Sequence, residues 1–194
     1  MKHLQNGTQA HFAAKAVPSV SPNFCATAWR RNGVNMLFWI LITGAVIVLD
    51  QASKWLAVKY LIPIETLPII KDALHLTYVE NPGAAFGMMK NSRWIFLVIS
   101  SVAIIGIIIY LIKFAPKNRL CQLSLAFILG GGIGNMIDRL ALGYVVDFID
   151  FRLINFAVFN VADSFVCVGA ALLIIYVLFI EGKENKKSEV EENG

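Results

Sequence analysis

The sequence predicts an all-α integral membrane protein with four transmembrane helices and a small β-rich extramembrane lobe from the first outer loop. The first observation is composition, because 57% of the 194 residues are hydrophobic and only 15% are charged, against about 25% charged in soluble proteins. The second is a set of four long apolar runs, since a helix needs roughly 20 such residues to cross a bilayer. The third is one outer loop long enough to form strands.

The four apolar runs define the membrane domain. The first reads MLFWILITGAVIVL and stops at Asp50, and the other three cover residues 94–112, 120–137 and 165–180. An even number of spans places both chain ends on the same side of the membrane. We therefore predict a four-helix membrane domain over residues 36–182.

Three further segments lie outside the spans. The outer lobe, about residues 57–91, contains LIPIETLPII and ALHLTYVENPGAAFG, where β-branched and aromatic residues alternate with turn formers and so favour short strands. Residues 1–35 lack the apolar core of a secretory signal, and we predict a disordered leader or expression remnant. Residues 183–194 mix charges of both signs without periodicity and are predicted to be a charged cytoplasmic tail.

Cations flank the spans mainly on the side of the two chain ends. Because lysine and arginine are enriched in cytoplasmic loops, this bias predicts that both termini are cytoplasmic. The opposite side also carries a few cations, so the bias is partial. The cations on the predicted inner side are Arg30, Arg31, Lys113, Lys117, Arg119, Lys183, Lys186 and Lys187.

Few side chains are able to do chemistry. The chain has 13 acidic residues, 3 His and 3 Cys, and neither His nor Cys residues cluster at metal-ligand spacing. We therefore expect no metal, no other cofactor and no disulfide framework. The net charge of +4 lies beside apolar runs rather than in a basic stripe with aromatics, so we expect contact with membrane lipids and not with nucleic acid.

Four aspartates are predicted to lie at one membrane face. The spacing is 19 residues from Arg31 to Asp50, 19 from Arg119 to Asp138, and 18 from Asp163 to Glu181, which is roughly 27 to 29 Å of helix in each case. Ionisable residues beside spans cost free energy and therefore mark candidate sites. A fourth carboxylate, Asp147, lies in the connection between the third and fourth spans and so at the same face, whereas Asp150, just past it, is expected to face water.

These aspartates allow different interpretations. Asp50 either pairs structurally with Lys54, four residues away on the same helical face, or belongs to a site. Asp138 either pairs with the adjacent Arg139, orients other groups, or takes part directly in chemistry. Asp147 and Asp163 lie among apolar residues, and two such carboxylates facing each other would share a proton and could act as base and acid. Among nucleophiles, Ser53 is a poor candidate because its neighbour Lys54 does not face it.

Five short motifs resemble the lipoprotein signal peptidase family, also called signal peptidase II. They are DQASK after the first apolar run, NPGAAFG in the outer loop, GGGIGNMIDR at the end of the third run, VVDF after it and FNVADS at the start of the fourth. They occur in the family's order and span about residues 36 to 180. Residues 1–35 lie outside this resemblance.

The resemblance implies an aspartic endopeptidase of the bacterial inner membrane that removes the signal peptide from a prolipoprotein, cutting just before a cysteine that carries diacylglycerol. It assigns catalysis to Asp147 and Asp163. It assigns contact with substrate or inhibitor to four further residues and support of the site to three more. The contact residues are Asn81, Asn135, Arg139 and Asn160, and the supporting residues are Asp50, Lys54 and Asp138.

The same resemblance implies metal-free chemistry, inhibition by globomycin-type cyclic peptides and an active site near the periplasmic face. We expect the bundle to act as a monomer. The rival functions are a small ion or proton transporter and a scaffold protein with incidental helix-end aspartates. A proton relay needs ionisable groups near the middle of the bilayer, whereas the second run carries none between Trp94 and Ile112.

Overall fold

The computed structural model describes residues 24–83, 93–114, 116 and 118–183, with side chains from Met36 onward. It contains four helices, each with a stretch long and apolar enough to cross a membrane. This confirms the four predicted spans. The helices are α1 (Phe24–Leu61), α2 (Arg93–Phe114), α3 (Arg119–Ala141) and α4 (Val161–Tyr176), and α4 continues as a π-helical turn over Val177–Glu181.

Helix α1 is longer than its apolar run in both directions. It begins at Phe24, inside the range assigned to the leader, and it continues past Asp50 to Leu61. Asp50 therefore lies within the helix rather than at the end of a span, and the outer lobe starts after residue 61. The rest of the predicted leader, residues 1–23, and the tail residues 184–194 lie outside the described residues.

Helix α3 is the centre of the bundle and packs against each of the other three helices. Its glycines make this close approach possible. Gly130 faces Val46 of α1, while Gly131 faces the Ala162 carbonyl and Val166 of α4. A side chain at either position would occupy space that the neighbouring helix already fills.

Three antiparallel strands form the extramembrane sheet in the order β1, β2, β3. Strands β1 (Thr66–Ile70) and β2 (Leu74–Asn81) come from the first outer loop, as predicted. Strand β3 (Val145–Phe151) comes instead from the connection between α3 and α4, and it pairs with β2. The lobe is therefore built from the connection between α1 and α2 and the connection between α3 and α4. The second connection places Asp147 in the sheet.

A small apolar cluster packs the sheet against the C-terminal end of α1. Ala57 and Leu61 from the last turns of α1 pack with Val146 and Phe148 of β3. Burying these side chains stabilises the contact by roughly 1.5 to 3 kcal/mol for each large residue. This cluster fixes β3 relative to the helices.

We expect Gly131→Ala to destabilise the bundle, because its Cβ would lie 2.7 Å from Val166 Cγ2 and would also overlap the Ala162 carbonyl oxygen. Overpacking of this kind costs about 1 to 3 kcal/mol, which should lower the thermal midpoint of the detergent-solubilised protein. Gly106→Ala in α2 is the matched control, since nothing lies within 4 Å of its added Cβ. Equal midpoints for the two variants would contradict the packing role of Gly131.

Candidate active site

A buried lysine joins α1 to α3. Lys54 Nζ lies 2.9 Å from Asp50 Oδ2 and 2.9 Å from Asp138 Oδ2, and it donates a hydrogen bond of 2.9 Å to Asn135 Oδ1. The three residues Lys54, Asp50 and Asp138 are 3%, 0% and 4% exposed. An ammonium has three donors and no acceptor, so all of its hydrogen-bonding capacity is used here.

The two carboxylates of this cluster also hold the backbone of neighbouring elements. Asp50 Oδ1 accepts from the Ala162 backbone N–H at the start of α4, and Asp138 Oδ2 accepts from the Val146 N–H of β3. Gln51 Nε2 donates to Asp138 Oδ1 at 3.0 Å and lies 3.2 Å from Asp50 Oδ2. The cluster therefore connects α1, α3, α4 and the sheet at one level.

Asp163 lies in the first turn of α4, where it forms a capping box with Asn160. The Asn160 side chain accepts from the Asp163 N–H at 2.9 Å, and Asp163 Oδ2 accepts from the Asn160 N–H at 3.3 Å. A reciprocal cap satisfies two backbone donors that a helix start otherwise leaves free. Asp163 Oδ1 is left to accept a hydrogen bond of 2.7 Å from Asn135 Nδ2.

Asp147 lies on β3 and is 1% exposed. Asn160 Nδ2 donates to its Oδ1 at 2.7 Å, and Asn81 Nδ2, from the end of β2, donates to its Oδ2 at 2.8 Å. Burial raises the pKa of Asp147 to about 6, and the charge of Asp163 acts in the same direction. The two amide hydrogen bonds oppose the rise because they favour the ionised carboxylate.

Two asparagines connect the carboxylates to each other and to the buried lysine. Asn160 Nδ2 also donates to Asn135 Oδ1 at 3.0 Å, and Asn135 Nδ2 donates to Asp163. Lys54 can only donate, so the atom of Asn135 that faces it must be the oxygen. The buried lysine thereby turns the Asn135 amide N–H toward Asp163.

Both carboxylates line one cavity of about 510 Å³. Its polar lining residues come from β2, β3, α3 and α4, and its apolar lining includes Phe96 of α2 and residues 156–159. A concave site with a few convergent polar groups is the ordinary form of a small-molecule or peptide site. The lining residues include Asn81, Gly83, Phe96, Asn135, Arg139, Asp147 and Asp163.

Arg139 enters the cavity from α3, one turn after Asn135. Its two terminal nitrogens donate to the Asn135 carbonyl at 3.2 Å and to the Gly83 carbonyl at 3.4 Å. The guanidinium also lies 5.2 Å from the centre of the Phe96 ring, a cation–π distance. Arg139 is therefore held by neutral groups beside the two carboxylates.

The structure brings together all nine residues singled out in the sequence. Asp50 pairs with Lys54, which was one of the two interpretations of Asp50, and Lys54 also pairs with Asp138. Of the interpretations left open for Asp138, the pair with Arg139 does not form, because Asp138 pairs with Lys54 while Arg139 donates to backbone carbonyls. Adjacent residues on a helix face different directions, which explains the separation.

Two residues near the site were not identified from the sequence, and the position of Asp150 was predicted wrongly. Gln51 and Phe96 were not identified, although Gln51 lies inside the DQASK motif and directly follows Asp50. Asp150 was expected to face water, but it is buried, accepts from Thr77 and pairs with Arg152 at 2.8 Å. It supports the sheet rather than the cavity. Over the part of the chain that the structure describes, no group of three His, Cys, Asp or Glu residues is arranged to hold a metal ion.

The fold and the cavity define a multi-pass membrane enzyme with two carboxylates at the end of the bundle that carries the sheet. The comparisons give the family. The chain belongs to the signal peptidase II family, because the sequence profile described as signal peptidase (SPase) II matches residues 42–179. This confirms the resemblance carried by the five motifs, and the protein is accordingly a membrane peptidase.

Relatives and solved structures agree with this assignment. A lipoprotein signal peptidase of Brevibacillus brevis is 47% identical over 150 residues, covering 77% of this chain and 100% of the relative. One from Caldanaerobacter subterraneus subsp. tengcongensis is 55% identical over 143 residues, covering 74% and 97%. A solved structure described as a bacterial membrane enzyme has a TM-score of 0.67 at 32% identity, covering 74% of this chain and 94% of its own. A second structure with the same description gives 0.65 at 33%, covering 73% and 87%.

We expect Lys54→Met to unfold or strongly destabilise the protein, because it leaves the Asp50 and Asp138 carboxylates buried together without a cation. Breaking a buried ion pair from one side costs about 3 to 5 kcal/mol, which a thermal melt in detergent will detect. Adding Asp138→Asn to Lys54→Met should recover part of the loss. Lys59→Met is the control on the same helix, since Lys59 is exposed. A midpoint for Lys54→Met equal to that of Lys59→Met would contradict the role of the cluster.

The raised pKa of Asp147, about 6, predicts a stability that depends on pH. The folded state keeps this proton above the ordinary carboxyl pKa of about 3.9, so the associated stability is present at lower pH and is lost as pH rises through about 6. Relative to wild type, Asp147→Asn should therefore gain about 2 kcal/mol of stability between pH 4.5 and 7.5.

The measurement is the thermal midpoint of both proteins across that pH range in one detergent. Asp72→Asn is the control, because Asp72 is an exposed carboxyl of the lobe, and its midpoint should follow wild type. Parallel curves for Asp147→Asn and wild type would show that Asp147 does not hold a proton into this range.

Proposed function

We propose that this peptidase is an aspartic endopeptidase that removes the signal peptide from diacylglyceryl-modified prolipoproteins, cutting just before the lipidated cysteine. The observation that carries the proposal is the pair Asp147 and Asp163 at one cavity, linked through Asn160 and Asn135. The named relatives support the substrate class, because they are lipoprotein signal peptidases.

The two carboxylates act as base and acid on one water molecule and one peptide bond. With a single proton shared between them, the ionised carboxylate takes a proton from water as its oxygen attacks the carbonyl carbon. The protonated carboxyl then donates to the leaving nitrogen as the C–N bond breaks. The raised pKa of Asp147 supports a shared proton near neutral pH. Asn160 contacts both residues and keeps them in register.

Other residues bind the substrate or support the pair. Asn81, Asn135 and Arg139 line the cavity and carry N–H groups that suit peptide carbonyls, whereas Asn160 is 0% exposed and acts on the substrate through its hydrogen bonds to Asp147 and Asn135. The cluster of Lys54 with Asp50 and Asp138 holds the elements that carry these donors. The diacylglyceryl group contributes about 0.8 kcal/mol for each methylene that stays in lipid, so the substrate reaches the site from within the bilayer.

The same proposal places the protein in the bacterial inner membrane with both termini cytoplasmic and the cavity near the periplasmic face. The excess of lysine and arginine beside the chain ends supports this orientation. We further propose that the bundle works as a monomer, needs no metal or other cofactor and is inhibited by globomycin-type cyclic peptides, which would occupy the substrate's place in the cavity.

We expect Asp147→Asn and Asp163→Asn each to lower cleavage at least 100-fold, since general acid and base catalysis contributes about 10² to 10⁴ in rate. The measurement is a gel-shift assay with a diacylglyceryl-modified precursor and the purified protein in lipid, with and without chelator. Asp72→Asn should cleave like wild type, and chelator should have no effect. Cleavage retained by either cavity variant would refute the assignment of the pair.

A further inference from the structure

Arg139 is the positively charged residue among the described residues that line the cavity. Its guanidinium forms no ion pair with any described residue, since the salt bridges there join Lys54 and Arg152 to their own aspartates. Its known acceptors are the backbone carbonyls of Asn135 and Gly83, which carry no net charge. The positive charge of Arg139 is thus left without a bonded counter-charge inside a partly buried site.

The position of this charge is fixed relative to both carboxylates. Asn135 accepts from Arg139 with its backbone oxygen and donates to Asp163 with its side chain. On the other side, Gly83 accepts from Arg139 with its carbonyl while its N–H donates to Asn81, which in turn donates to Asp147. One residue, Asn135, therefore connects the guanidinium to Asp163. Two residues, Gly83 and Asn81, connect it to Asp147.

Neither Lys54 nor the sequence that follows Gly83 supplies an ion-pair partner for Arg139. Lys54 is fully engaged by Asp50, Asp138 and Asn135. The segment that follows Gly83 in the sequence, residues 84–92, reads AAFGMMKNS and contains no Asp or Glu. Asp163, Asp147 and Asp138 act on Arg139 electrostatically but form no ion pair with it, so its remaining N–H donors can bind the carboxylate of a bound molecule.

The proposed reaction creates such a carboxylate. Hydrolysis breaks the C–N bond, adds the water oxygen to the carbonyl carbon and gives a carboxylic acid and an amine. A terminal carboxyl has a pKa of about 3.5 and an α-amine about 8, so the acid gives up its proton and the amine takes one. The new carboxylate appears beside a pair that already carries one negative charge, and only a nearby cation makes that position favourable.

Resting on the proposed function, we infer that Arg139 binds the new C-terminal carboxylate of the released signal peptide. A guanidinium offers five N–H donors in a planar fork, and two of them are used by the backbone carbonyls. The remaining donors suit a carboxylate, which forms shorter and stronger hydrogen bonds with guanidinium than a neutral carbonyl does. The site therefore recognises a peptide free acid and is inhibited by it.

The test uses a synthetic apolar peptide of about 20 residues, the length of a membrane span, ending in alanine and made as a free acid and as an amide. Binding of each to the wild-type protein in phosphatidylcholine nanodiscs is measured by thermophoresis, with empty nanodiscs to correct for partition into lipid. We expect the acid to bind about 10- to 100-fold more tightly than the amide, the range for a hydrogen bond between charged groups.

The variants locate the source of this preference. Arg139→Gln should remove it, and Arg139→Lys should keep part of it, because a lysine retains the charge but loses the fork. Arg93→Gln should keep it fully, since Arg93 is not among the lining residues of the cavity. Equal binding of acid and amide by wild type, or an undiminished preference in Arg139→Gln, would overturn the inference.

The outcome is separable from that of the proposed function. Precursor cleavage by wild type is measured in the same nanodiscs, and its absence would count against the function itself. Cleavage without an acid preference would count against the role of Arg139 alone. If Arg139→Gln is not recovered folded, the wild-type comparison and Arg139→Lys still decide the question, because an unchanged preference in Arg139→Lys would also overturn it.

Discussion

The Lys54 ammonium is the constraint on which the rest of the site depends. It faces three oxygens from Asp50, Asp138 and Asn135, and removing it would leave two carboxylates in a space that water does not reach. Two carboxylates around one cation leave an excess negative charge, and backbone N–H groups of Ala162 and Val146 together with Gln51 compensate for part of it. A buried cluster of this kind contributes less to net stability than to fixing one arrangement of its neighbours.

Asn135 and Asn160 connect the lysine cluster to Asp163 and Asp147. The lysine sets the orientation of the Asn135 amide, Asn135 orients Asp163 and accepts from Asn160, and Asn160 contacts Asp147. Each of these amides has both a donor and an acceptor in use, so reversing one amide would place its nitrogen against a donor and its oxygen against a carboxylate oxygen. The acid groups are thus held by a polar network with a single consistent set of hydrogen-bond directions.

Much of the fold could be predicted from composition and apolar periodicity, whereas the parts that depend on distant contacts could not. The four spans and strands β1 and β2 followed from local pattern. The continuation of α1 past Asp50 did not, because a carboxylate ordinarily ends an apolar run and only Lys54 and α3 make it acceptable inside the bundle. Strand β3 was missed because YVVDFID is too short to be distinguished from a loop until β2 is known to pair with it.

The same reasoning explains what was predicted of the site. The shared level of the four aspartates came from counting helical residues, and the five motifs gave the residue identities. The partner of Asp138 could not be read locally, since helix direction separates it from Arg139 and tertiary packing brings it to Lys54. Gln51 and Phe96 carry no local signal of their own, because an amide and a phenyl ring are common in ordinary helices. Their roles depend on helices α3 and α2 arriving beside them.

The seating of the sheet on α1 has a consequence for the distance between the two acids. Asp163 moves with a membrane helix, whereas Asp147 moves with a strand of the lobe, so their separation is set by how the lobe rests on the bundle. The lobe contacts the bundle through the packing of Ala57 and Leu61 against β3 and through the hydrogen bond that the Val146 N–H donates to Asp138. A shift of about 1 Å in reacting groups is enough to cost about 100-fold in rate. The last two turns of α1 therefore set the separation of the two proposed catalytic carboxylates, although they carry neither of them.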